Sequence, residues 1–294
     1  MQKQNRSTWM LITSMFIFGT LSPFVRNISV SSGELALYRA ILAAVCIGGY
    51  LLFSKQHIQL KSIRKELILL LLSGGAMGFN WILLFQAYKY TTVSVATLSY
   101  YFAPVIVTAA CPLLFREKLT AKQIICFVMS TIGLILITVT GNLSGGGKDL
   151  IGIGFGLGAA VLYASVVLLN KFIKNVAGIH RTFLQFLAAV LVLTPYVAST
   201  GGVTLGAMNA AGWVCLLVVG LVHSGIAYCL YFSSLAHLPG QKAAILSYID
   251  PLVAVVISVT VLGETIRPLQ ILGGGLILGF TLWNELPDRK KNPD

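Results

Sequence analysis

Ten apolar stretches follow one another along this 294-residue sequence, each long enough to cross a lipid bilayer. A helix needs about 17–25 apolar residues to cross a hydrocarbon core of about 30 Å. Only short polar connectors separate the stretches, and none of them could form a soluble domain. The stretches are residues 9–28, 34–53, 67–88, 93–115, 121–140, 151–170, 180–199, 211–233, 240–262 and 268–284. This spacing predicts an all-α membrane protein with ten transmembrane helices.

The composition agrees with a bilayer rather than water as the solvent of this chain. Hydrophobic residues make up 56% of the sequence and charged residues 10%, whereas about 25% of the residues in a soluble domain are charged. A soluble fold of this length could not hide so much apolar surface. Helices are the predicted state, because no stretch alternates with the period of two that a membrane barrel requires.

Lys and Arg are distributed unevenly between the two sides that the ten spans define. Sixteen of the 21 lie on the side of the N-terminus, four lie on the other side, and Arg39 falls within the second span. Because cytoplasmic loops are richer in Lys and Arg, both termini are predicted to be cytoplasmic, in the inner membrane of a bacterium. Basic loops facing anionic lipid explain the net charge of +12. Nucleic acid is therefore not an expected partner.

The two halves of the sequence match each other at a constant offset of 147 residues (251 − 104 = 147; 264 − 117 = 147). The matching pairs are Ala96 and Ala243, Tyr101 and Tyr248, Pro104 and Pro251, Glu117 and Glu264, and Gln123 and Gln270. Each half holds five predicted spans, and an odd number means that the second copy enters the membrane from the opposite side. Residues 1–141 and 150–294 are thus predicted to be inverted five-helix repeats, joined by the glycine-rich linker 142–149. Inverted repeats are typical of secondary transporters, whose substrate site lies between the halves.

Two of the repeated pairs have physical roles that the sequence leaves open. Pro104 and Pro251 lie within the fourth and ninth spans, where proline removes a backbone hydrogen bond and bends a helix. The bends could serve as hinges or shape helix packing alone. Glu117 and Glu264 end the same two spans, on opposite faces of the membrane. We expect them to cap the next helix or to pair with a nearby Lys or Arg.

The repeated segments resemble a known family. The runs SYYFAPVIVTAACPLLFREKLTAKQ (99–123) and LSYIDPLVAVVISVTVLGETIRPLQ (246–270) are similar to the two signature regions of EamA-type transporters of the drug/metabolite transporter superfamily. The Tyr38-Arg39-Ala-Ile-Leu-Ala run and the glycine-rich last span resemble that family too. The resemblance implies a ten-helix bundle that works by alternating access. It also implies transport of small metabolites, often by export and often coupled to protons.

Asp250 is the leading candidate for a functional group inside the membrane, where an ionisable side chain is costly. It lies near the middle of the ninth span, and helical spacing places it on one small polar stripe with Ser247, Pro251, Ala254 and Ser258. A carboxylate there could carry a proton or hold a cationic substrate. The alternative is a static partner for a neighbouring hydroxyl or for a histidine.

Two further ionisable groups and a set of aromatic residues complete the candidate site. His223, in the eighth span, could relay protons or simply bond a hydroxyl group. Arg39 could extend to the outer interface or face a cavity and bind a substrate carboxylate. Aromatic faces stabilise amines and flat substrates. The candidate cavity wall is Asn80, Trp81, Tyr100, Tyr101, Tyr163, Tyr228 and Tyr248.

These features favour a secondary active transporter of a small amphipathic metabolite, an amino acid or a related amine, with export as the expected direction. A transporter of quaternary amines or drugs is the alternative, and a membrane enzyme or a channel is a more distant one. The five cysteines all fall within predicted helices without metal-ligand spacing. We therefore expect no metal, cofactor or disulfide, and no catalytic residues. The protein could be a monomer or a homodimer.

Overall fold

The computed structural model describes residues 2–54, 60–115, 120–144, 147–176, 178–235, 238 and 246–286. These residues form α-helices and contain no β-strand. The α-helices are α1 (Gln2–Gly19), α2 (Leu21–Arg26), α3 (Ser32–Phe53), α4 (Leu60–Tyr90), α5 (Val93–Tyr100), α6 (Ala103–Phe115), α7 (Ala121–Ser144), α8 (Lys148–Phe172), α9 (Gly178–Thr200), α10 (Ala210–Leu217), α11 (Ala227–Leu235), α12 (Ile249–Thr260) and α13 (Pro268–Glu285). A π-helix (Val218–Ile226) joins α10 to α11, and a 3₁₀ turn (Leu205–Ala207) precedes α10.

Seven segments of the described chain are long and apolar enough to cross a membrane. They are Asn5–Arg26, Ser32–Phe53, Arg64–Tyr90, Val93–Ala110, Lys148–Phe172, Gly178–Thr200 and Ala210–Leu235, with shorter apolar helices at Ala121–Ile137 and Ile249–Thr260. The chain is therefore a multi-pass membrane protein. The count of ten spans stays a prediction, and part of the ninth predicted span, residues 240–245, lies outside the described residues.

Helices α7 and α13, which occupy corresponding places in the two halves, pack antiparallel. Gly133 and Gly273 meet where they cross, and a Cβ on either glycine would lie 2.5 Å from the carbonyl oxygen of the other. Lys122, near the start of α7, donates a hydrogen bond to the carbonyl of Leu286, just past the end of α13. Small residues permit this close approach of two backbones inside a membrane.

Two more pairs of helices, α5 with α12 and α3 with α9, cross in the same antiparallel sense. On α5 the Ser94 hydroxyl donates to Ser258 Oγ of α12 over 2.8 Å, and Tyr101, just after α5, bonds to Asp250 at the start of α12. Between α3 and α9, the early residue Gly33 lies against the late residue Tyr196. Antiparallel packing between spans of the two halves is the arrangement expected of inverted repeats, which stay a prediction.

A buried glutamate at each end of the bundle bonds a helix to a connecting loop. At one end, Glu34 on α3 accepts hydrogen bonds from the Thr204 backbone N–H over 2.6 Å and from its hydroxyl over 2.7 Å. At the opposite end, Glu66 on α4 accepts from the backbone N–H groups of Lys174 and Asn175 over 2.7 and 2.9 Å. Each carboxylate ties the early part of a helix to a connecting loop, because it accepts hydrogen bonds from backbone N–H groups that have no partner in a helix.

Glu264 pairs with a cation, which is one of the two roles expected from the sequence. Its carboxylate contacts the Arg26 guanidinium and accepts a hydrogen bond from the Val93 backbone N–H over 2.8 Å. It therefore caps the start of α5 rather than the helix that follows it in sequence. Glu117, its counterpart in the first half, lies outside the described residues.

Candidate substrate site

The spans that approach the bundle centre are interrupted there. The first span breaks at Thr20 between α1 and α2, and the eighth passes through the π-helix. Gly19, at the first break, packs so closely on α12 that a Cβ there would lie 2.7 Å from the carbonyl oxygen of Asp250. Irregular backbone at membrane depth is tolerated where it is buried in protein or lines a cavity, and π-helical turns are frequent at functional sites.

The fourth and ninth spans break at corresponding residues. Tyr101 follows the last residue of α5, and Tyr248 immediately precedes α12. The two tyrosines are 147 residues apart in the sequence, and each lies three residues before a proline. Pro104 and Pro251 thus fall in the first turn of α6 and of α12, where proline is tolerated because the first helical N–H groups have no helical acceptor.

Asp250 lies where these two breaks face each other. The Tyr101 hydroxyl donates a hydrogen bond to Asp250 Oδ2 over 2.6 Å, the length typical of a hydroxyl bonded to a carboxylate. Tyr101 comes from the first half of the chain and Asp250 from the second. The contact therefore joins the two halves at the centre of the bundle, and its partner is a hydroxyl, one of the static partners that the sequence left open.

Arg39 is buried in the bundle, with a relative exposure of 4%. Its Nε donates to Ser224 Oγ of the π-helix over 2.6 Å. The guanidinium carbon lies 4.7 Å from the centroid of the Trp81 ring and 5.6 Å from that of Phe85. Arg39 therefore points inward and does not extend to the membrane interface. Among the described residues, no carboxylate forms an ion pair with it.

Arg39 and Asp250 belong to one electrostatic group although they are not in contact. Arg39 lies within electrostatic range of Asp250 and of Tyr88, Tyr100 and Tyr228. A cation and a carboxylate inside a low-dielectric bundle attract each other. Within the residues that the structure describes, the two groups form no direct ion pair.

His223 holds the eighth span to the break in the first span. Its Nε2 lies 3.3 Å from Thr20 Oγ1, and its Nδ1 lies 3.3 Å from the Val218 carbonyl oxygen. Its ring packs on Phe24, with 5.1 Å between the ring centroids. The histidine is buried and bonds a hydroxyl, as one of the two sequence interpretations expected. It follows that two adjacent residues, His223 and Ser224, link the π-helix to two different spans.

The aromatic residues predicted to line the cavity fall into two groups. Trp81 packs on Phe186, which in turn contacts Tyr228 edge-on, and these rings lie beside Arg39. Tyr100 contacts both Tyr101 and Tyr163, at centroid distances of 5.7 and 5.5 Å, beside Asp250. The interior therefore has one aromatic wall near the cation and another near the carboxylate.

The remaining predicted residues lie nearby with other contacts. Asn80 is buried and donates to the Ala159 carbonyl over 2.6 Å, so its amide ties α4 to α8. Ser247 and Tyr248 are half-buried and precede α12. Tyr163 keeps 42% of its surface exposed. The structure does not bring the Asn80 amide and the other predicted groups together as one continuous surface.

Sequence reasoning missed several groups at the site. Ser224 and Thr20 hold Arg39 and His223, and a signal for both was present: each is a polar residue within an apolar span. Phe85 and Tyr88, which lie near Arg39, were not singled out from the sequence. Within the described part of the chain, no three His, Cys, Asp or Glu side chains are grouped so that they could hold a metal ion.

Comparison with known proteins identifies the family. The family model described as the EamA-like transporter family matches residues 6–139 and again residues 150–284. The chain belongs to the EamA-like transporter family. The two matches each cover one of the halves that repeat in the sequence.

Similar proteins are named as transporters. An uncharacterized transporter of Bacillus subtilis, YxxF, is 31% identical over 90% of this chain and 84% of its own length. An uncharacterized transporter of Archaeoglobus fulgidus is 27% identical over 94% and 95% of the two chains. The threonine/homoserine exporter RhtA of Escherichia coli K12 is 25% identical over 93% and 86%. One crystal structure of a protein 15% identical to this EamA-family chain has a TM-score of 0.64 over 94% of this chain and 96% of the other, and it shares the fold.

Proposed function

We propose that this EamA-family protein is a secondary active transporter of a small zwitterionic metabolite of the amino acid class. The observation that carries the proposal is a cation and a carboxylate inside the bundle that form no ion pair with each other. Arg39 and Asp250 interact electrostatically without an ion pair between them. A zwitterion presents a carboxylate and an ammonium group at a fixed separation, so it can satisfy both side chains at once.

In this proposal Arg39 binds the substrate carboxylate. Its Nε is held by Ser224 and its planar group lies over Trp81, which leaves the far edge of the guanidinium to bond two oxygens in parallel. Asp250 binds the substrate ammonium while Tyr101 keeps donating to Oδ2. The aromatic walls surround the apolar part of the substrate.

The relatives support the amino acid class and export. RhtA is named as an exporter of threonine and homoserine, both of which are zwitterions. At 25% identity its substrate is not transferred to this chain. The two proteins align over 93% of this chain and 86% of RhtA, and the zwitterion site of this chain is argued from Arg39 and Asp250.

Alternating access follows from the arrangement of the halves, which we propose to be inverted five-helix repeats, 1–141 and 150–294, joined by linker 142–149. Antiparallel packing of α7 on α13 and of α5 on α12 supports this. Asp250 is the group that we propose to exchange a proton for the substrate ammonium. The Lys and Arg distribution supports an inner-membrane protein with both termini in the cytoplasm.

A carrier of quaternary amines or drugs is the second candidate. The tyrosines beside Asp250 favour it, because aromatic faces attract cations. Arg39 opposes it, since a buried cation repels a ligand that carries only positive charge. Substrates that lack a carboxylate therefore distinguish the two proposals.

The test pairs altered substrates with altered residues in proteoliposomes. Counterflow of an amino acid, its methyl ester and its N-acetyl derivative is measured with wild type, Arg39→Gln and Asp250→Asn. We expect wild type to transport the zwitterion alone. Arg39→Gln should no longer prefer the zwitterion to the methyl ester, and Asp250→Asn should no longer prefer the zwitterion to the N-acetyl derivative. Arg64→Gln, which removes an exposed cation, serves as the matched control. Equal counterflow of the zwitterion by wild type and both variants would refute the proposal.

A further inference from the structure

A groove of about 580 Å³ opens between α1, α3 and the eighth span, away from the substrate site. The residues around it include Arg6, Met10, Tyr50, Cys229 and Ser233. Its volume is within the range of about 300–1,000 Å³ that small ligands occupy in proteins. Arg39, Asp250 and the tyrosines that interact with them do not line it. The groove is therefore separate from the residues proposed to bind the transported substrate.

The polar groups of this groove gather at one end. Arg6 lies in the first turns of α1, Tyr50 in the last turn of α3, and Ser233 in the last turn of α11. The Tyr50 hydroxyl lies 3.4 Å from Ser233 Oγ. A cation and two hydroxyl groups thus mark the end of the bundle that carries the N-terminus.

The rest of the groove is apolar and runs deeper along the helices. Met10 on α1, Ile226 in the π-helix and Leu230 on α11 form its walls, and the thiols of Cys46 and Cys229 face the same space. Ile226 keeps 46% of its surface exposed there. A ligand that fills this groove needs an anionic or hydrogen-bonding head and a long apolar tail.

We infer that the groove is a binding site for one anionic phospholipid. The lipid belongs to the leaflet on the side of the N-terminus, which is the cytoplasmic leaflet in the proposed topology. The Arg6 guanidinium binds the phosphate, the Tyr50 and Ser233 hydroxyls bond the polar headgroup, and an acyl chain lies along Met10 and Leu230. Basic pockets between transmembrane helices on the cytoplasmic side bind such headgroups. The inference uses the proposed orientation and is independent of the identity of the transported substrate.

Native mass spectrometry of the purified full-length protein tests the inference. The protein is incubated with phosphatidylglycerol or with phosphatidylcholine of the same chain length, and retained lipid is counted per protein. We expect wild type to retain one phosphatidylglycerol in preference to phosphatidylcholine. Arg6→Gln should retain it about five-fold less tightly, the effect of one cation near an anionic surface. Leu230→Trp, which fills the groove, should retain neither lipid.

A control variant and thermal unfolding distinguish a loss of lipid binding from a loss of folding. Arg64→Gln removes an exposed cation from the same end of the bundle but outside the groove, so it should bind lipid as wild type does. Thermal unfolding shows that each variant is folded, and Ser233→Ala, a smaller change than Leu230→Trp, should lower retention without altering the melting temperature of lipid-free protein.

Three results would overturn the inference. Equal retention of phosphatidylglycerol by wild type and Arg6→Gln would remove the headgroup site. Displacement of the lipid by a transported amino acid would make the groove part of the substrate path. A dimer that dissociates in Leu230→Trp, without bound lipid, would assign the groove to a second copy of the chain. The lipid experiments do not measure amino acid transport. The outcome of the counterflow experiment is therefore independent of theirs, and failure of one proposal can be distinguished from failure of the other.

Discussion

Glu264 and Arg26 are in contact at one end of the bundle, and through this contact the loop before α13 holds the end of α2. The same carboxylate accepts from the Val93 N–H over 2.8 Å and from the Ser258 hydroxyl. Three spans therefore meet at one buried acid. In the proposed alternating-access mechanism this end opens to exchange the site with the outer solution, and these contacts would then separate.

Glu264→Gln is expected to destabilise the protein more than Arg26→Gln does. Hydrogen bonds to a charged group contribute about 1.5–3 kcal/mol, and Glu264 makes several, whereas the Arg26 side chain is 34% exposed and its ion pair is partly screened by solvent. Thermal unfolding in detergent measures both variants. Equal shifts in melting temperature would show that the ion pair, rather than the cap on α5, supplies the stability.

Tyr101→Phe is expected to weaken zwitterion binding, because the change removes the hydroxyl that orients the Asp250 carboxylate through Oδ2. In the proposal this bond is present with and without substrate, so the loss of affinity should be smaller than the about 1.5–3 kcal/mol of a hydrogen bond to a charged group. Tyr100→Phe is the matched control, since the neighbouring ring keeps its contact with Tyr163. Substrate-dependent thermal stabilisation of the purified protein reports the affinity. A larger loss in Tyr100→Phe than in Tyr101→Phe would contradict the assigned role of this bond.

Ser224→Ala is expected to lower affinity for the zwitterion while leaving affinity for an amino acid ester nearly unchanged. The hydroxyl holds Arg39 Nε at 2.6 Å, and without it the guanidinium loses the orientation needed for two parallel bonds to a carboxylate. Ser234→Ala removes another buried serine hydroxyl of the same span, one that donates to the Tyr231 carbonyl, and serves as the control. The readout is the ratio of counterflow rates for the two substrates. An unchanged ratio in Ser224→Ala would separate the serine from substrate recognition.

Much of the helix pattern could be predicted from the sequence, because hydrocarbon thickness sets the length of a span. The predicted span 93–115 matches α5 and α6 together, and 180–199 matches α9 within two residues. The constant offset of 147 residues anticipated that Tyr101 and Tyr248 occupy corresponding places, and both lie at a break in their span. Whether a segment is stable in lipid depends mainly on its own length and hydrophobicity. A span can therefore be predicted without knowing which helices it packs against.

The partners of the buried charges could not be predicted in the same way. Arg39 had two possible environments, and its choice depends on Ser224, 185 residues away, being turned toward it by a π-helix. The wider turns of this π-helix have no recognisable pattern in the sequence. Glu34 is likewise bound by Thr204, 170 residues away, which follows the helix α9 that packs on α3.

The crossing of α7 and α13 places the same restriction on two distant positions. Each glycine leaves vacant the space that the other's carbonyl oxygen enters, so a methyl group added at Gly133 collides with backbone, and so does one added at Gly273. Neither collision can be relieved by a change at the other position, because glycine is already the smallest residue. The two sites therefore tolerate substitution equally poorly. In a library of random variants selected for folding, both Gly133 and Gly273 should remain glycine.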